Sequence, residues 1–125
     1  KNYLGIYYDA NGAYTSAPFV YKRTKFLKEF TDAKPGSLFG KKSDFPVGNK
    51  KTCSGASGHE TDKLFPGANG FTILARGKNP KGSGGQIAYK KFKSGGEMFN
   101  MGSLNSWMFL NDPEIKKLIL HHIKN

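Results

Sequence analysis

The run from Phe71 to Lys93, "FTILARGKNPKGSGGQIAYKKFK", constrains the fold more than any other part of the chain. Its two ends, "FTILAR" and "QIAYKKFK", carry β-branched and aromatic residues, and the nine residues between them have the composition of a turn. Segments joined by so short a connection pair as an antiparallel hairpin, because a parallel pair needs a crossover of about a dozen residues or more. "EMFNM" and "SWMFL" follow with the same character and extend the hairpin into a β-meander.

The C-terminal "NDPEIKKLILHHIKN" reads as a helix over Pro113 to Lys124. Asn111 or Asp112 caps it, Pro113 suits the first helical position, and Glu114 and Lys124 complement the positive and negative ends. A helical wheel places Ile115, Leu118, Ile119 and Ile123 on one face, which is expected to pack on the sheet. His122 falls inside that stripe as a hydrogen-bonded core residue, and His121 falls on the polar side. Adjacent histidines point about 100° apart on a helix, so the two are not expected to chelate one metal.

Towards the N-terminus, "YLGIYY", "DANG" and "AYTSAPFVY" read as strand, turn and strand. Pro18 places the second strand at an edge or ends its pairing there. "TKFLKEF" predicts a short helix near Thr24 to Thr31, capped by Thr24 and stopped before Lys34-Pro35-Gly36. From 35 to 70 the chain is dense in Gly, Ser, Pro, Lys and Asn and reads as a long loop region, where function often resides. The expected fold is α+β: a twisted antiparallel sheet of about five or six strands with the two helices, the C-terminal one packed on one face. The expected core is Leu4, Ile6, Val20, Phe26, Phe30, Phe71, Ile73, Ile87, Met98, Trp107, Phe109, Ile115, Leu118, Ile119 and Ile123. At 125 residues, 1–125 fits a single domain.

Charge then narrows the partner. Twenty Lys and Arg against nine Asp and Glu give a net charge of +11, which points to a polyanion. Eighteen-residue apolar runs are absent, and the opening "KNYLGIYYDANG" has no signal-peptide core, so the chain reads as soluble, without a transmembrane segment. Cys53 is the sole cysteine; it excludes an intramolecular disulfide and zinc patterns of paired cysteines, and tilts the expected location towards the cell interior.

Between Asp62 and Glu97 lie seven cations, Lys63, Arg76, Lys78, Lys81, Lys90, Lys91 and Lys93, and no acid. Strand alternation in "QIAYKKFK" puts an aromatic and lysines on each face, so that a ring can stack a base beside an ammonium on a phosphate. The leading expectation is therefore a nucleic-acid-binding domain, for RNA or DNA, that uses Arg76, Lys78, Lys81, Lys90, Lys91 and Lys93 on phosphates and Tyr89 as stacking platform. The blander reading is a solvated hairpin whose lysines guard an edge strand, with Tyr89 in the core. Backbone amides of "GKNPKGSGG" and "NKKTCSGASG" offer themselves as phosphate cradles, although neither run matches a nucleotide-binding loop.

A second expectation is enzymatic. His59, Glu60 and Lys63 supply the imidazole, carboxylate and ammonium of a metal-independent ribonuclease. In size, charge, glycine content and loop histidine the chain is loosely similar to C-terminal nuclease domains of bacterial toxins, with no shared motif. Cys53-Ser54-Gly55 resembles the Cys-Ser-Gly of cell-wall papain-like peptidases, but that family has a helix after the nucleophile and a later histidine-bearing strand, whereas here Gly-Ala-Ser-Gly follows and the strand-like "YLGIYY" comes earlier and lacks His. A third expectation is a structural or interaction protein for a polyanionic glycan or an acidic protein. No cofactor and no metal site are implied.

Overall fold

A computed structural model of the protein describes residues 6–12, 15–41, 46–47, 51–52, 55–58 and 60–124. In chain order the strands are β1 (Ile6–Tyr8), β2 (Ser16–Ala17), β3 (Phe19–Tyr21), β4 (Leu38–Phe39), β5 (Pro46–Val47), β6 (Lys51–Thr52), β7 (Ser57–Gly58), β8 (Asp62–Leu64), β9 (Thr72–Gly77), β10 (Gln86–Lys91) and β11 (Glu97–Asn100). Helix α1 (Leu27–Phe30) follows β3, and α2 (Pro113–Lys124) closes the chain. The class is α+β. Among the described residues, a five-stranded antiparallel sheet runs in the order β11-β10-β9-β3-β4, accompanied by the two-stranded ribbons β1·β8, β2·β7 and β5·β6.

The meander is as expected through β11, with β10 paired to both β9 and β11. Its register carries a bulge: Ile87 faces Ala75 while Ala88 faces Ile73, so Leu74 is the extra residue on β9. The bulge lets consecutive Leu74 and Ala75 both be fully buried. Tyr21, Ala75 and Ile87 stand opposite one another across three strands and share one sheet face. That face meets Leu27 and Phe30 of α1 and Ile115 and Leu118 of α2 in one apolar cluster. Burial of such side chains stabilises by roughly 1.5–3 kcal/mol each before entropy is counted.

The N-terminal segments pair differently from the expected hairpin. β1 joins β8 and β2 joins β7, while β3 lies inside the main sheet between β9 and β4. The reason sits in the turn: Asp9 is buried, its amide donating to the Thr61 carbonyl at 2.7 Å, which commits the strand before it to the segment around Thr61. Pro18 does end pairing, separating β2 from β3. The stretch expected to be loop contributes strands of two or three residues: β5 and β6 pair with each other, while β4, β7 and β8 pair with strands nearer the N-terminus. "SWMFL" is no strand; Leu104–Phe109 is a 3-10 helix that starts where the Ser103 hydroxyl accepts from the Asn105 amide. Helix α1 is shorter than expected, and its N-cap is Phe26, without a side-chain cap bond, instead of Thr24.

Helix α2 has the expected bounds, and Asp112 is its cap: Oδ1 accepts from the Glu114 and Ile115 amides at 3.0 and 3.2 Å. Its Oδ2 accepts from the Gly40 amide at 2.7 Å. Glu114 takes the Thr31 hydroxyl at 2.7 Å and the Tyr21 hydroxyl at 3.3 Å. Burial first, and the Glu114 carboxylate second, hold the Tyr21 phenol well above its ordinary pKa. These bonds rotate α2 so that Ile115, Leu118 and His122 face the sheet. Ile123 is then 71% exposed, and Trp107 is 57% exposed, which removes both from the expected core. Ile6, Val20, Phe26, Phe71, Ile73, Met98 and Ile119 are half-buried, Phe30, Ile87, Phe109, Ile115 and Leu118 are buried, and Leu4 lies outside the described residues.

Replacing Asp112 by Ala removes the helix cap and orphans the Gly40 amide. Urea denaturation of Asp112→Ala is expected to show a loss of about 1–2 kcal/mol with an unchanged m-value.

Candidate nucleic-acid interface

The loop between β9 and β10 is held from inside. Ser57 Oγ donates to Asn79 Oδ1 at 2.7 Å, and Asn79 Nδ2 donates to Thr15 Oγ1 at 2.7 Å and to the Ser57 carbonyl at 3.0 Å. The Gly85 amide donates to Ser57 Oγ and the Gly84 amide to Asp9 Oδ2, both at 2.8 Å. A methyl group at Gly85 would overlap the Gly102 carbonyl, so only glycine fits there. Amides that a phosphate cradle would need are thus consumed by Asp9 and Ser57. In the second glycine run the Ala56 amide donates to the Gly40 carbonyl and the Gly58 amide to Ser103 Oγ.

Lys63 belongs to the same framework. Its Nζ donates to the Gly82 carbonyl at 2.8 Å and lies 3.7 Å from Asp9 Oδ2. Glu60 is exposed, and His59 lies outside the described residues. Burial first, then the nearby Glu60 charge, raises the Asp62 carboxyl above the ordinary carboxylate range.

Tyr89 is 2% exposed and cannot offer a ring face to a base. It packs edge-on against Phe30 at 5.0 Å and Phe26 at 5.7 Å, and its hydroxyl donates to Glu97 Oε1 at 2.8 Å. Burial and that bond push its phenol up to about 12. Period-two reasoning put Tyr89 and Lys91 on one face, and the side that α1 and α2 cover is the one that carries Tyr89.

The remaining sequence candidates are exposed, apart from half-buried Lys90, but they do not converge. Lys78 and Lys81 stand at one end of β10 and Lys91 and Lys93 at the other, separated by roughly 20 Å of strand rise. Arg76 does find company. It lies opposite Gln86 on one side and Val20 on the other, and it lines an open groove of about 500 Å³ with Lys22, Arg23, Lys25, Phe71 and Gln86. Among the described residues, no Asp or Glu lines this groove. Lys90 adds a cation at its margin, with Nζ 5.1 Å from the Phe71 ring centroid and 5.1 Å from that of Phe92. Sequence reading passed over Lys22, Arg23 and Lys25, although "YKRTK" is a dense basic run directly after a strand.

Among the described residues, no three His, Cys, Asp or Glu side chains are grouped as metal ligands, and no helix is long and apolar enough to cross a membrane. No family model matches the chain, and no curated protein matches it as a relative.

Behind this face the histidines of α2 enter the aromatic core. His122 stacks on Phe99 at 4.0 Å, and His121 sits 4.6 Å from Phe30. Burial, then His121, lowers the His122 pKa, with Glu97 opposing at 3.9 Å. The unfolded chain therefore takes up this proton near pH 6.5 and the folded chain only at lower pH. The stabilising contribution is complete above pH 6.5 and is lost as pH falls below it. Melting temperature is expected to drop on acidification from about pH 7.5 to about pH 5.5, and by less in His122→Phe, as followed by circular dichroism.

Proposed function

We propose that the protein binds nucleic acid along the groove beside β9. Lys22, Arg23, Lys25 and Arg76 contact phosphates, and Phe71 provides the apolar surface against which a base stacks. What carries this reading is the grouping of four cations, with no carboxylate among the described residues, around an aromatic ring in one groove. Cation and ring at one place match a phosphate and its base, and stacking contributes about 1–3 kcal/mol per base. Lys78, Lys81, Lys91 and Lys93 extend the positive field and steer an incoming strand without defining its position. The ribonuclease alternative is supported less well, because Lys63 is engaged by Gly82 and Asp9.

Titration of labelled single-stranded oligonucleotides at two salt concentrations tests the reading. The logarithm of the binding constant should fall against the logarithm of salt with a slope of about −0.7 for each phosphate contact. Arg23→Ala and Arg76→Ala should each reduce that slope by roughly one contact. Phe71→Ala should weaken oligonucleotide binding by about 1–3 kcal/mol while leaving heparin binding unchanged. Salt-independent binding sinks the proposal. Equal loss for heparin and oligonucleotide in Phe71→Ala removes the stacking role.

A further inference from the structure

The rotation of α2 that buries His122 leaves another part of the helix uncovered. Ile119, Leu120 and Ile123 join Trp107 and Leu110 around a groove of about 410 Å³ between α2 and the 3-10 helix, with Asn111 and Lys116 at its polar margin. Trp107 is 57% exposed, Ile123 71% and Leu110 40%. Large apolar side chains grouped in a concavity and rimmed by polar ones mark a binding surface rather than the scattered exposure normal for a protein. The groove shares no residue with the cationic one.

We infer that this groove receives a segment of a partner protein: an amphipathic helix with leucine-like anchors on one face and carboxylates flanking them. The shape selects a helical segment, because Lys116 and Ile123 lie about two turns apart on α2, and a helix laid in a groove presents anchors at that interval. Charge selects acidity. Among the described residues, the groove's one charged side chain is Lys116, and Lys117 is paired with Glu114 at 3.8 Å instead. The only acid of α2, Glu114, is turned away into its bonds with Thr31 and Tyr21. The same balance disfavours a second copy, since two chains of +11 each would repel as they brought their Lys116 side chains together. A bilayer favours a convex apolar face, whereas this surface is concave.

Trp107 is the sole tryptophan, so its fluorescence reports on this groove without a label. The probes are a short helical peptide with leucine on one face and glutamate on the other, its leucine–lysine counterpart, and anionic phospholipid vesicles. The glutamate peptide should shift Trp107 emission to the blue, and the lysine peptide should bind at least severalfold more weakly. Ile123→Ser, at an exposed site that leaves the fold intact, should weaken glutamate-peptide binding by about tenfold, the equivalent of ~1.4 kcal/mol of anchor burial. Lys116→Glu should reverse the preference between the two peptides. An unshifted Trp107 with both peptides overturns the inference, as does equal affinity for both. A shift produced by vesicles alone, or one that follows protein concentration together with a dimer in sedimentation, overturns it in favour of a membrane or of a second copy.

Discussion

The carboxylate of Glu114 governs how the helix lies on the sheet. It sits in the first turn of α2, where the helix dipole already favours a negative charge, and it gathers hydroxyls from β3 and from the residue after α1. One side chain thereby ties α2 to β3 and to the end of α1, 93 and 83 positions earlier in the chain. Asp112, two residues earlier, adds the amide of Gly40 to the same junction. With its start fixed at two points, α2 has one rotational setting. That setting decides which of its isoleucines are core and which are surface, and it brings the two histidines in among Phe30, Phe99 and Tyr89.

A second set of buried polar groups does for the loops what Glu114 does for the helix. Asp9, Ser57, Thr61, Asn79 and Ser103 are nearly inaccessible to solvent, and each is bonded to backbone or to another member of the set. A buried donor or acceptor left without a partner costs about 1–3 kcal/mol, so such a set holds only if its members are satisfied together. Glycines here serve close backbone approach: at Gly77 and Gly85 a side chain would collide with Ser57 and with Gly102. The consequence for function is a division of labour. The backbone of the glycine-rich loops is framework, while Lys78 and Lys81 on the loop between β9 and β10 stay exposed, and a further group of cations lies on the exposed side of β9 and in the basic turn after β3.

The parts of this fold legible in sequence were those whose signal is local. Alternation, turn residues and the Asp-Pro-Glu start of α2 yielded the meander and the C-terminal helix with correct bounds. Strand pairing over long separations left no such trace. Nothing in "YLGIYY" shows that Tyr7 will face Lys63, because short strands acquire partners from tertiary bonds such as those of Asp9. The wheel of α2 placed Ile115, Leu118, Ile119 and His122 on the inner face and erred at Ile123, which hydrophobicity assigned to the core and the rotation fixed at Glu114 leaves exposed. In the candidate site, counting charge found Arg76 and the lysines of the hairpin. Grouping them required three dimensions, since Lys22, Arg23 and Lys25 come from a segment fifty or so residues away, brought alongside by the pairing of Tyr21 with Ala75.

Those same long-range bonds bear on how the chain reaches its native state. Asp9 and Gly84 are separated by 75 positions, Gly40 and Asp112 by 72, and Tyr21 and Glu114 by 93. Closing a loop costs entropy that grows with the logarithm of its length, and that cost falls before the contact rewards it. The hairpins of β9, β10 and β11 and the turns of α2 close over short spans and form a template early. Of the N-terminal strands, β3 docks directly on β9, whereas β1 and β2 find their partners in β8 and β7. Folding of this chain is therefore expected to be slow for its size, and during synthesis from the N-terminus Asp9 must wait for Thr61 and Gly84 to be made before its bonds can form.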